Sequence, residues 1–205
     1  EKRPNFSQAK REKVLVLTRL QQYDEALVLA KENHYLYKDN PYHLQAYFDC
    51  LINTMNSRNR DGEDILGELL ERLERIKSEK AQSMYSRCYA LYLAYIEGSK
   101  DSALAQVKKS QTDYPKDSIY ALMVKFAIAF FYGDQRVMMD AIEELKHMEA
   151  NTNTIILCES KYFAMEDNEK AKNYFLHHIK WFTESSKNIF LEKLDRIYQT
   201  KGGVF

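Results

Sequence analysis

The stretch SRNRDGEDILGE (57–68) places Asn59, Asp61, Gly62 and Glu68 at the intervals of an EF-hand calcium loop. Ser57 stands where the first ligand is normally Asp, and Asp64 where an apolar residue would pack on a partner loop. No second loop follows. Asp61, Glu63 and Asp64 suit the positive end of a helix dipole, so the stretch reads as a solvated turn into an acidic helix start. Glu144 and His147 form one E-x-x-H, half of a di-metal motif whose other half is missing. His177 and His178 are neighbours, which splays them by about 100° on a helix and away from a common metal. His34 and His43 flank one turn without a third ligand.

Catalytic chemistry finds no better footing. The sequence has no Gly-rich phosphate loop and no G-x-S-x-G, and no Cys–His pairing follows from spacing. Cys50, Cys88 and Cys158 lie far apart inside apolar runs, as buried free thiols do, which suits a reducing, cytoplasmic compartment. We therefore expect a non-enzymatic segment that binds no metal and no cofactor. The 30 basic and 30 acidic residues cancel, so a dedicated nucleic-acid binder is not expected. Lys10, Arg11, Lys13 and Arg19 read as the solvated face of a first helix. Glu68–Arg72 and Glu71–Arg75 read as weak i,i+4 pairs. The longest apolar run, Ile119 to Gly133, is too short to span a bilayer and carries Lys125 at its middle. The chain opens on EKRPNFSQ without Met, and we expect a fragment of a longer multidomain protein. The sequon at Asn5 carries no weight without a secretory signal.

Helices must position whatever these residues do. Among 205 residues there are only 6 Gly and 3 Pro, too few for the turns of an all-β fold. Apolar residues recur at helical spacing and predict helices over 7–20, 23–38, 41–56, 62–79, 81–97, 100–113, 117–132, 135–149, 152–166, 168–182 and 184–200. Short breaks make successive helices antiparallel neighbours. SMYSRCYALYLAYI and IYALMVKFAIAFFY are apolar most of the way round and should be sandwiched. The helices after them carry one apolar stripe and should form an outer layer.

The alternation repeats. Ala26, Gly67, Ala103, Met138 and Ala171 hold equivalent first buried places on outer helices, with the later steps close to thirty-four residues. Tyr23, Ala26 and Pro41 mark one hairpin; Gly98, Ala103 and Pro115 mark another; Ala171 and Phe175 mark a third. On these residues the chain resembles a degenerate tetratricopeptide repeat (TPR) family member. The inner helices depart from the family pattern: its Trp and Leu-Gly pair are absent, and Leu91 and Phe126 stand where a small residue is expected. The resemblance implies an all-α, right-handed solenoid of about five antiparallel hairpins, forming one domain over 1–205 with a C-terminal capping helix. Trp181, Phe182 and Phe190 should pack the last hairpin against that cap.

Function follows from the same resemblance. Tyr85, Cys88, Tyr89, Tyr92 and Ile96 form a helical stripe, continued by Tyr120, Phe130 and Phe131. Core packing accounts for any single ring. In a TPR-like array some of them would line the groove of the inner helices, where Tyr offers large area, few rotors and a hydroxyl. Tyr85, Tyr92 and Tyr120 are the groove candidates, with Asn153 in the fifth hairpin. The expected role is a non-catalytic scaffold or interaction module holding a peptide, a helix or another domain of the same chain. The alternative is the regulatory or sensor segment of a nucleotide-hydrolysing or nucleic-acid-processing enzyme, which a P-loop or nuclease motif upstream of Glu1 would mark. Relative to the repeat, the end of the second helix is about three residues long, and it carries His34, Tyr35 and Tyr37 towards the turn. We read it as a longer helix.

Overall fold

The computed structural model describes residues 4–55, 62–180 and 182–200, and every regular element in them is helical. In order these are α1 (Pro4–Arg19), α2 (Tyr23–Leu36), α3 (Pro41–Thr54), α4 (Glu63–Arg75), α5 (Glu79–Tyr95), α6 (Lys100–Asp113), α7 (Ser118–Phe131), α8 (Gln135–His147), α9 (Thr152–Ala164), α10 (Asn168–His178) and α11 (Glu184–Thr200). A single 3-10 turn, Pro115–Asp117, precedes α7. The all-α expectation holds, and no described helix is long and apolar enough to cross a membrane.

Side chains set the starts. Asn40 accepts from the Tyr42 N–H at 3.0 Å with Pro41 at the first helical place, and Asp134 accepts from Val137 N–H at 3.0 Å. Asp167 does the same for Lys170 at 2.9 Å, and Asn151 for Asn153 at 2.9 Å. Each satisfies one orphan donor of a first turn. Left-handed residues set several stops: Gln21, Gly98, Gly133 and Glu149 have φ of 59°, 68°, 67° and 52°. After Gly133 the Asp134 N–H reaches back to the Ala129 carbonyl at 2.8 Å, which ends α7 in a Schellman turn.

Three expected boundaries move. The helix read over 62–79 stops at Arg75, because Ile76 turns extended and Ser78 caps α5 through the Ala81 N–H. Gln82 then donates to the carbonyls of Glu74 and Ile76, both at 2.8 Å, and so closes the end of α4. The helix read over 168–182 stops at His178, where Ile179 turns extended. The long end of α2 stops at Leu36, and Tyr37 leaves the helix to stack on His43 with centroids 4.5 Å apart.

The chain divides into two compact units, one ending at Ser99 and one beginning at Lys100. In the first, α3 packs on α1 and α5, while α2 spans α1 and α3, and α4 spans α3 and α5. The odd-numbered helices thus make one layer and the even-numbered a second. Leu44, Phe48, Leu66, Leu69, Leu73 and Met84 fill the space between. In the second unit α7 packs on α6 and α8, α9 packs on α8 and α10, and α11 closes on α9 and α10. Phe175 centres that closure, 4.6 Å from the Phe190 ring and 5.8 Å from Phe182. Burying a ring this completely contributes about 2–3 kcal/mol. Trp181 lies outside the described residues. Lys125, the charge within the apolar run, meets Glu144 of α8 at 2.6 Å.

A common register runs through the even-numbered helices. Ala26, Ala103, Met138 and Ala171 are completely buried, as expected. In α4 the equivalent place is Leu66, not Gly67. Gly67 is only half-buried, and a Cβ added there would meet nothing within 4 Å. The residue four places earlier accepts the backbone N–H at Ala26, Leu66, Met138 and Ala171, so the repeated unit is a helix start plus its first inward side chain.

Candidate functional site

The groove candidates divide between the units. Tyr85, on α5, is half-buried and stacks on Tyr89 with centroids 5.7 Å apart and planes 4° from parallel. Burial, then the charge of Glu74 on α4, raises its pKa. Tyr92 is half-buried against the core of the first unit. In the second unit Tyr120 stands in the first turn of α7 and is 52 % exposed. Asn153 is half-buried at the start of α9, its N–H taken by the Asn151 cap.

A charged cluster that sequence reading missed lies across the odd-numbered helices of the first unit. Arg87 of α5 is only 4 % exposed and donates through Nη1 to Ser83 Oγ at 2.6 Å. Half-buried Asp49 of α3 feels its charge, together with those of Arg11 and Arg19 from α1. Burial nevertheless wins and pushes the Asp49 carboxyl up to about 6. Spacing within one helix carries no sign of this cluster, because α1, α3 and α5 supply it jointly. Only the polar residues Asp49 and Arg87 inside otherwise apolar helices hinted at it.

Beside it lies a Ser–His contact. Ser7 Oγ is 2.8 Å from His43 Nε2, and the imidazole is 3 % exposed beneath Tyr37. A nucleophile–base pair needs a third group to orient the imidazole and a base strong enough to take a proton. Here Nδ1 has no hydrogen-bond partner among the described residues. Burial, with the Arg11 and Lys10 charges, drives the imidazole down to about 4. So weak a base does not activate a serine at neutral pH, and the contact joins α1 to α3.

His34 takes a different partner. Its Nε2 lies 3.2 Å from Arg72 Nη1 on α4, and burial, then Arg72, lowers its pKa. The two histidines thus do not converge on a metal. Asn33 donates to the Lys10 carbonyl at 3.3 Å. The lengthened end of α2 is therefore spent on internal contacts at Asn33, His34 and Tyr37, while Tyr35 and Leu36 face solvent.

Among the described residues no three His, Cys, Asp or Glu side chains gather as a metal would require. Ser57, Asn59 and Asp61 of the calcium-like loop lie outside them. Gly62 takes the cap position of α4, with Glu63 and Asp64 in its first turn. Cys50, Cys88 and Cys158 are buried free thiols, and burial raises all three pKa values, to about 11 at Cys158.

In the second unit Glu159 of α9 accepts from the Tyr174 hydroxyl of α10 and meets Lys146 of α8 at 2.9 Å. Burial, then Glu159, holds that phenol neutral far above its usual range. These pairs brace helices to one another. Compared with protein-family models, curated proteins and solved structures, the chain gives no significant match.

Proposed function

We propose that the chain is a TPR-like array of antiparallel helical hairpins, of right-handed solenoid form, acting as a non-catalytic interaction module. It holds a peptide, a helix or a neighbouring domain against the odd-numbered helices, with Tyr85, Tyr92, Tyr120 and Asn153 as candidate contacts. The observation that carries this reading is the shared register of the even-numbered helices, whose first inward residue is buried at Ala26, Leu66, Ala103, Met138 and Ala171. A chain that repeats helix start and inward side chain in this way builds a layered stack in which each hairpin leans on its neighbours. The free faces of such a stack are broad binding surfaces. Exposed Tyr120 supports the reading, since a half-exposed ring on an apolar helix offers contact area at low entropic cost.

The test compares two substitutions of similar exposure. Tyr120→Ala alters an odd-numbered helix, and Leu176→Ala alters α10, where Leu176 is 48 % exposed. The partner should co-purify with wild type and with Leu176→Ala, and be lost with Tyr120→Ala at unchanged melting temperature. Partner loss from both variants, or from neither, refutes the assignment. Tyr92→Ala sorts the remaining candidate: a lowered melting temperature with binding retained places Tyr92 in the core.

A further inference from the structure

Eleven large apolar side chains are exposed among the described residues, and five of them, Phe6, Val16, Val28, Tyr35 and Leu36, lie on α1 and α2. These two helices pack on each other and on α3, and His34 reaches Arg72 of α4. No other helix of the first unit packs on the remaining side of the hairpin. Single exposed apolar side chains are ordinary on a protein surface. Five concentrated on one hairpin mark a surface that meets something else.

The charges of that hairpin are sorted by helix. α1 carries Lys10, Arg11, Lys13 and Arg19 against Glu12 alone, and α2 carries Asp24, Glu25 and Glu32 against Lys31. Arg11 is turned to α3, 5.1 Å from the Tyr42 ring centroid, and holds Glu12 at 2.8 Å. Lys13 crosses to Glu25 at 3.0 Å, and the two side chains stay 58 % and 57 % exposed. Val16 follows Lys13 by three residues and Val28 follows Glu25 by three, so each valine shares a side of its helix with one member of the pair. Asp24 and Glu32 meet no cation among the described residues. A partner of one charge sign would suit one helix of the hairpin and be repelled by the other. A second copy suits both. A two-fold axis lying in the plane of contact, along the hairpin, sets α1 of each copy on α2 of the other, so cations face carboxylates twice. Because Lys13 and Glu25 stand side by side, the same axis brings each Lys13 opposite the Glu25 of the other copy.

We propose that the exposed side of the α1–α2 hairpin is a self-association surface, covered by a second copy of this chain in a two-fold dimer. Helices of 16 and 14 residues lying side by side present roughly 20 Å by 20 Å, the low end of specific interfaces, so the dimer forms at about micromolar concentration. The surface rests on side chains of the first unit alone and not on the repeat reading.

The experiment is sedimentation velocity on the full chain, from low micromolar to a few hundred micromolar. The 24.2 kDa monomer should give way to a species of twice that mass. Lys13→Glu and Glu25→Lys each set like charges opposite one another in the dimer, and each should raise its dissociation constant about tenfold or more. Both should melt with wild type, because an exposed ion pair contributes little to the fold. Mixed one to one, the two variants should dimerise with the affinity of wild type, since each then offers the charge that the other needs. Lys108→Glu, on the exposed side of α6, should dimerise as wild type. A chain that stays monomeric at every concentration overturns the proposal and leaves the face to a different partner. So does a dimer indifferent to Lys13→Glu, or a mixture that associates no more tightly than its components.

Discussion

Asp49 and His43 share α3, and their titrations pull the stability of the fold in opposite directions. His43 is held neutral down to about 4, against an ordinary value of 6.5. As pH falls from 6.5 to 4, the unfolded chain takes up a proton that the folded chain refuses. Stability then drops by about 1.4 kcal/mol per pH unit. Asp49 does the reverse, since its folded carboxyl protonates at about 6 and its unfolded one at 3.8. As pH falls through that window the folded chain gains the proton first, and stability rises at the same slope. Between about pH 4 and 6 the two contributions nearly cancel. Asp49→Asn removes the gain and leaves the loss, so the variant should shed about 2–3 kcal/mol more than wild type on acidification from neutral pH. His43→Gln leaves the gain, and its stability should rise over the same range. Urea denaturation followed by circular dichroism near neutral pH and at about pH 4.5 reads both slopes. A general weakening by either substitution drops out of the comparison. Parallel curves for wild type and Asp49→Asn would refute the reasoning, because Asp49 would then titrate as a solvated carboxylate.

Five further substitutions have expected outcomes. Gly67→Ala should stabilise α4 by about 1 kcal/mol, having no neighbour to strike, whereas Ala103→Leu should cost about 1–3 kcal/mol by overpacking; thermal melts with the opposite signs would return the register to Gly67. Gly98→Ala meets open space, so its cost of about 1 kcal/mol comes from φ of +68° alone. Glu149→Gly, relieving φ of +52°, should gain up to about 1 kcal/mol in the same urea assay. Tyr174→Phe removes the donor to Glu159 and should cost about 1–2 kcal/mol, and an unchanged midpoint would make that contact energetically silent.

The helices were legible because their evidence is local. Asn40-Pro41, Asp134 and Asp167 announce starts, Gly98 and Gly133 announce stops, and the apolar spacing between them is helical. The break at Ile76–Ser78 escaped because Ile76 keeps the apolar rhythm of α4, while the event that ends the helix is the next cap at Ser78. Gly67 misled for a related reason. A small residue reads as a close approach, yet the inward place of α4 is filled by Leu66. The charged groups were harder still. Asp49 and Arg87 stand out only as polar residues in apolar helices, and their influence on each other needs α3 packed on α5. Tyr85 shows the same limit, since the charge it feels comes from Glu74 on α4.

Lys125, which pairs with Glu144, has a consequence beyond that ion pair. From Ile119 to Tyr132 the chain is apolar apart from Lys125. A lysine at the middle of a hydrophobic segment disfavours insertion by about 3 kcal/mol. The charge that braces α7 on α8 through Glu144 therefore also makes the most apolar segment of the chain costly to place in a bilayer.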